Sequence, residues 1–144
     1  MIAVNFEHVD SRGPGHLVLS GMRKLNNTPN LSAKGIYRLL RLTKEVDGMI
    51  RDCEMAMEKL AEKHSKKGED GKPIKTINPD KTWRVEIENW ESFEGDQKEL
   101  FDQSTKEIPI NRLPVADWEK AGLTPAEVSA LEFCLEIPVE LEAV

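Results

Sequence analysis

Histidine and cysteine are scarce in this chain, three and two among 144 residues. His8, His16 and His64 never stand three or four residues from one another or from a cysteine, so no local metal-ligand spacing exists. The two cysteines, Cys53 and Cys134, are too few and too far apart for a secreted disulfide framework. Both fall at apolar positions of predicted helices and read as reduced core thiols. A nucleophilic Cys53 would need a nearby base and an electropositive, partly exposed setting, which its position does not offer. Long hydrophobic runs are missing as well. No window approaches the roughly 18 apolar residues of a membrane span, and Met1 to Phe6 carry neither a basic lead nor an extended apolar stretch. The expectation is a chain made and working in a cytosol-like compartment, with no membrane partner. Phosphate-cradling glycine loops are absent too, because Gly13-Pro14-Gly15 and the Gly68 to Gly71 segment lack the spacing and the following helix. No cofactor is expected.

Positive charge is in deficit, with a formal net charge of -6 and a pI near 5.2. A protein that coats nucleic acid needs a positive field, so nucleic acid is not an expected partner. The lysines at 63, 66, 67, 72, 75 and 81 cluster, but Glu62, Glu69, Asp70 and Asp80 are interleaved with them. The balance is uneven along the chain. Residues 84–144 hold fifteen acids and five bases, whereas residues 1–83 hold eleven acids and fifteen bases. Solvated surface accounts for such a split, and attraction between opposite ends of neighbouring copies is the sharper alternative. Acid pairs such as Glu86 and Glu88 share one face of a predicted strand, but a working acid and base need one carboxyl in an apolar pocket, and none is marked.

What the chain has is a heptad. Ile36, Leu39, Thr43, Val46, Ile50, Cys53, Met57, Leu60 and His64 recur at alternating spacings of three and four, which keeps one stripe of a helix facing one partner. Ser32 suits the N-cap, and the helix is expected over 33–66, with Lys66, Lys67 and Gly68 as its stop. Ile36, Leu39, Val46, Ile50, Met57 and Leu60 are the expected interface residues of this seam. Leu40, Leu42, Met49, Ala56 and Ala61 widen its apolar face. Gly48 falls on the opposite side, where it weakens the helix.

Around that rod the pattern alternates between strand and helix. Ile2, Val4 and Phe6 alternate with polar neighbours, and the turn at Asp10 to Gly15 leads to a return strand over His16 to Leu19, giving an N-terminal β-hairpin over 1–19. Its edge, through Ile2, Val4 and Phe6, is a second expected interface. A short helix capped by Ser20 runs to Asn27. Residues 67–81 are a loop, with a strand around Ile74 to Ile77. Residues 82–144 form a small α+β part: a strand at Trp83 to Ile87, a helix capped by Asn89, an edge strand at Ile108 to Ile110, a short helix from Val115 with Gly122 at its end, and an acidic tail from Ile137. Thr124-Pro125-Ala126-Glu127 is a capping box with proline at the first helical position, bracketed by Leu123 and Val128. Trp83, Trp90 and Trp118 lie on amphipathic elements and read as core or interface anchors. The expected fold is one α+β domain over 1–144: the long heptad-patterned helix, two or three shorter helices, the hairpin, and a small antiparallel sheet of the strands at Ile74, Trp83 and Ile108.

The segments LSGMRKLNNTPNLSAKGIYRLLRL, KKGEDGKP, WRVEI, ELFDQS, EIPINRLP and LTPAEVSALEF follow one another between residues 19 and 133. In this order they resemble a family of small uncharacterised tailed-bacteriophage proteins encoded near virion structural genes. LTPAEVSALEF is the most specific of them. The resemblance carries over no catalytic residue and leaves out the N-terminal hairpin. It implies a non-enzymatic structural component of a phage particle, in a tail, neck or portal-proximal position, made in the host cytoplasm. Such a protein would act as a homo-oligomer packed against other copies of itself and other phage structural proteins. The alternative is an intracellular assembly chaperone or a host-protein-binding factor that is absent from the finished virion.

Overall fold

The computed structural model describes residues 1–138, and the backbone alone of Trp83. The chain runs β1 (Ile2–Val4), α1 (Phe6–Val9), α2 (Gly15–Asn26), α3 (Ala33–Lys63), β2 (Lys75–Ile77), β3 (Trp83–Val85), α4 (Trp90–Gln103), β4 (Lys106–Ile108), α5 (Val115–Trp118) and α6 (Pro125–Ala130). This is the mixed α+β class with one long helix and short antiparallel strand pairs. The sheet, however, is two separate pairs. β2 pairs with β3, and β1 pairs antiparallel with β4, Ile2 opposite Ile108.

The expected N-terminal hairpin is replaced by a strand and two helices. After Val4 the Asn5 side chain accepts from the Glu7 amide, while His8 Nδ1 accepts from the Asn5 amide at 3.1 Å, a capping box that turns the chain into α1. His16 to Leu19 lie in α2, where Val18, Met22 and Leu25 are buried at helical spacing. Helix formation therefore starts at Gly15, ahead of the Ser20 cap. Ile2 and Val4 are core residues and Phe6 packs half-buried on the core, and β1 pairs with β4 rather than with a return strand, so the expected hairpin and its apolar edge are not formed.

The long helix starts at Ser32, whose hydroxyl accepts from the Gly35 amide, and ends at His64 rather than Lys66. Its 31 residues make a rod of about 46 Å. α2 packs against α6 and α3, and α1 sits among α2, α3 and α4, so every helix shares one core. α4 and α6 begin at the expected caps, Asn89 and Thr124, with the box between Thr124 and Glu127 complete. Both thiols are free and buried. The acidic tail lies, apart from Ile137 and Pro138, outside the described residues.

Two glycines of α3 look alike in sequence and stand in opposite surroundings. A Cβ on Gly48 would meet no atom within 4 Å, whereas a Cβ on Gly35 would stand 2.6 Å from the carboxyl carbon of Asp117. That carboxylate accepts from the Ser32 amide at 2.9 Å and from its hydroxyl at 2.7 Å, and so places a negative charge at the helix start. Gly48→Ala should stabilise the protein by about 1 kcal/mol, and Gly35→Ala should destabilise it by about 2 kcal/mol through overpacking. Urea unfolding of the two variants checks the pair.

Candidate functional site

The heptad stripe is mostly spent inside the molecule. Leu39, Val46, Cys53 and Met57 are buried, and Ile50 and Leu60 pack half-covered against the same core. Of the six expected seam residues, Ile36 alone is largely open. The helix that covers the stripe belongs to the same chain, since α1, α2 and α4 all lie on α3. Sequence spacing fixes only that a stripe wants burial; it does not name the cover.

The first two turns of α3 are different. Ile36, Tyr37 and Leu40 are 49%, 56% and 64% exposed, and at spacings of three and four they share one helix face. Grooves flank them on both sides. One, of about 430 Å³, is lined by Asn26, Leu31, Ile36 and Leu40. The other, of about 360 Å³, is lined by Met1, Tyr37, Pro109 and Ile110. Basic side chains surround the patch: Lys34, Arg38, Arg41 and Lys44 occur before the first acid of the helix, Glu45. Lys34 stands in the first turn, where a cation opposes the helix dipole and so does not serve local stability. Arg41 donates to the Tyr37 hydroxyl at 3.3 Å and Arg38 to the Arg112 carbonyl at 3.1 Å, which holds two of the four in place.

A larger cleft, of about 760 Å³, opens toward the other end of α3, between the α1–α2 turn, β3 and α4. Cys53, Met57, Ile87 and Phe93 form its apolar floor. Trp90, 58% exposed, stands over Phe93 edge-on at 5.4 Å and 79°, and the Arg12 guanidinium lies 6.0 Å from the Phe93 ring centre. Arg12, Lys66 and Arg84 share the lining with Asp10, Glu54, Glu58 and Glu86. Burial, reinforced by the Asp10 carboxylate, pushes the Cys53 thiol up to about 11, which makes it a poor nucleophile at neutral pH. Burial also raises the Cys134 thiol.

The histidines serve local structure. His8 stacks on Phe133 at 4.8 Å, and burial lowers its pKa, which keeps Nδ1 available as an acceptor for the Asn5 amide. His64 Nε2 and Lys63 Nζ both lie 2.7 Å from Asp96, pinning the end of α3 to α4. Their hydrogen bonds hold the Asp96 carboxyl below its ordinary range, Lys63 contributing most. Among the described residues, no group of three or more His, Cys, Asp and Glu side chains is placed to hold a metal ion, and no helix is long and apolar enough to cross a membrane.

Sequence reasoning found Ile36 and named Leu40, but it missed Tyr37, the basic surround and the cleft. The run of four cations without an acid over residues 33–44 was a readable signal. The cleft was not readable, because Arg12, Met57, Arg84 and Trp90 are brought together only by folding. Comparison with profiles of known protein families, with curated protein sequences and with solved structures finds no match to this chain.

Proposed function

We propose that this chain is a non-enzymatic structural component of a bacteriophage particle, present in several copies around a tail, neck or portal-proximal axis, and that it works by packing against its neighbours. The supporting observation is the cluster of Ile36, Tyr37 and Leu40. Three large apolar side chains stand in water on one rigid helix face, between two grooves and within a basic surround. Exposed apolar clusters of this kind with a polar rim mark protein-binding sites. The motif order from residue 19 to residue 133 supplies the phage context. The binding face is shorter than the heptad suggested, because the seam from Leu39 onward serves the chain's own core.

A second reading, an assembly chaperone or host-protein-binding factor, draws on the small size of the patch, since modest exposed faces suit transient partners. Mass spectrometry of purified particles separates the two, because a chaperone leaves before the particle is complete. For the structural reading the protein is expected in the particle fraction and as an oligomer in solution. Leu40→Asp, at an exposed position, should leave the fold intact and weaken self-association by at least about thirtyfold, the effect of losing an interface hot spot. A wild-type protein that sediments as a 16.3 kDa monomer and is missing from particles would sink the proposal.

A further inference from the structure

Resting on the proposal that the chain assembles with copies of itself, we infer that the contact is head-to-tail: the Ile36, Tyr37 and Leu40 patch of one copy seats on the Trp90 cleft of the next. Patch and cleft cannot meet within one molecule. Leu40 and Met57 are seventeen residues apart on the same unbroken helix, about 25 Å, so a copy cannot fill its own cleft with its own patch.

Their chemistry is complementary. The patch offers apolar side chains with Lys34, Arg38, Arg41 and Lys44 around them. The cleft offers an apolar floor at Met57 and Phe93 and an exposed tryptophan. Asp10, Glu54, Glu58 and Glu86 line it, and Glu91 and Glu94 are exposed on α4 next to Trp90 and Phe93. Arg12, Lys66 and Arg84 also line the cleft, but they come from the α1–α2 turn, the segment after α3, and β3. Acids outnumber these cations in the lining by four to three, and the exposed Glu91 and Glu94 add to the acidic side at its α4 border.

Unless two copies exchange both contacts and stop as a two-fold dimer, which a wild-type mass of only twice 16.3 kDa would show and which would overturn the head-to-tail arrangement, the contact leaves one patch and one cleft free at the ends. It closes into a ring or continues as a helical array, as repeated subunits around a particle axis require. A two-fold contact between two copies of the patch would instead bring eight like charges together, which disfavours it.

The test uses two full-length variants measured alone and mixed. Leu40→Asp damages the patch and keeps the cleft; Trp90→Lys puts a cation in the cleft and keeps the patch. Each should be monomeric alone by sedimentation, at 16.3 kDa. An equimolar mixture should give a species of twice that mass and nothing larger, because the one intact patch can join the one intact cleft. Circular dichroism melting confirms that both variants are folded, and Tyr37→Ala replaces Leu40→Asp if that variant is not. If Trp90→Lys assembles like the wild type while Leu40→Asp does not, the head-to-tail arrangement is wrong and self-association stands. If the mixture stays monomeric with both variants folded, the head-to-tail arrangement is likewise overturned. If the wild type itself is monomeric, both this inference and the oligomeric reading fall.

Discussion

Gly15→Ala should lower the stability of the protein by about 3 kcal/mol, the upper range for overpacking a site that cannot relax. A Cβ there would lie 2.4 Å from the Val9 carbonyl oxygen and 2.6 Å from that of Asp10. Both atoms belong to the backbone at the end of α1, so no side chain can swing away. The Asp10 oxygen is also the acceptor for the Gly13 and Gly15 amides, at 2.9 and 3.0 Å, and moving it would break the turn that starts α2. Gly13→Ala is the control, because its nearest neighbour would be 3.8 Å away. Urea unfolding should show Gly13→Ala near the wild type and Gly15→Ala at a much lower midpoint. Equal midpoints for Gly15→Ala and the wild type would mean that α1 does not pack on the start of α2.

The second large effect is expected at Glu127. Its side chain is 3% exposed, yet it is charged and fully partnered. One oxygen accepts from Lys24 Nζ at 2.5 Å and from the Thr124 amide at 2.9 Å, and the other accepts from the Ser20 hydroxyl at 2.7 Å. A single carboxylate thus closes the capping box of α6 and ties it to α2. Glu127→Ala should lose about 3 kcal/mol at pH 7 from the cap and the charged hydrogen bonds together, with Lys24, partly in water, limiting the loss.

The pH dependence has a definite sign. The Lys24 hydrogen bond, the Thr124 amide and the Ser20 hydroxyl hold the Glu127 carboxyl down at about 2, from an ordinary 4.5. A group depressed in the folded state stabilises at pH values above its unfolded pKa, and that stability is lost as pH falls through the folded one. The contribution is therefore full above about pH 4.5 and gone near pH 2. Glu127→Gln keeps the shape and removes the charge, so the stability gap to the wild type should be widest at neutral pH and shrink over that window. Taking the difference cancels the other depressed acids, such as Asp96 and Glu45, which titrate alike in both proteins. A gap that does not change between pH 7 and pH 2 would remove the charge from the account.

The legible parts of the fold are those written in short-range rules. Ser32, Asn89 and Thr124 each begin a helix where a side-chain oxygen can accept from an amide three residues on. The capping box of α1 escaped because its third helical residue is His8 rather than Glu or Gln. A neutral imidazole held in a half-buried place does the same work here. The strand pairing of β1 escaped because its partner lies about a hundred residues away, and alternation of Ile2 and Val4 is satisfied by any partner. At the candidate site, the residues at helical spacing were visible. Whether they end up covered was not.

The amino-acid order by itself determined the class of the fold, the long helix, its N-cap, and the burial of the two thiols, because propensity, capping and burial of apolar stripes act within a few residues of chain. Tertiary structure decided which stripe residues stay in water and which glycine can take a methyl group. It also decided which surfaces remain for a neighbour. Burial is favourable in proportion to apolar area and indifferent to who supplies the cover, so a heptad states a need, and only the meeting of α1, α2 and α4 on α3 shows how much of it the chain meets alone.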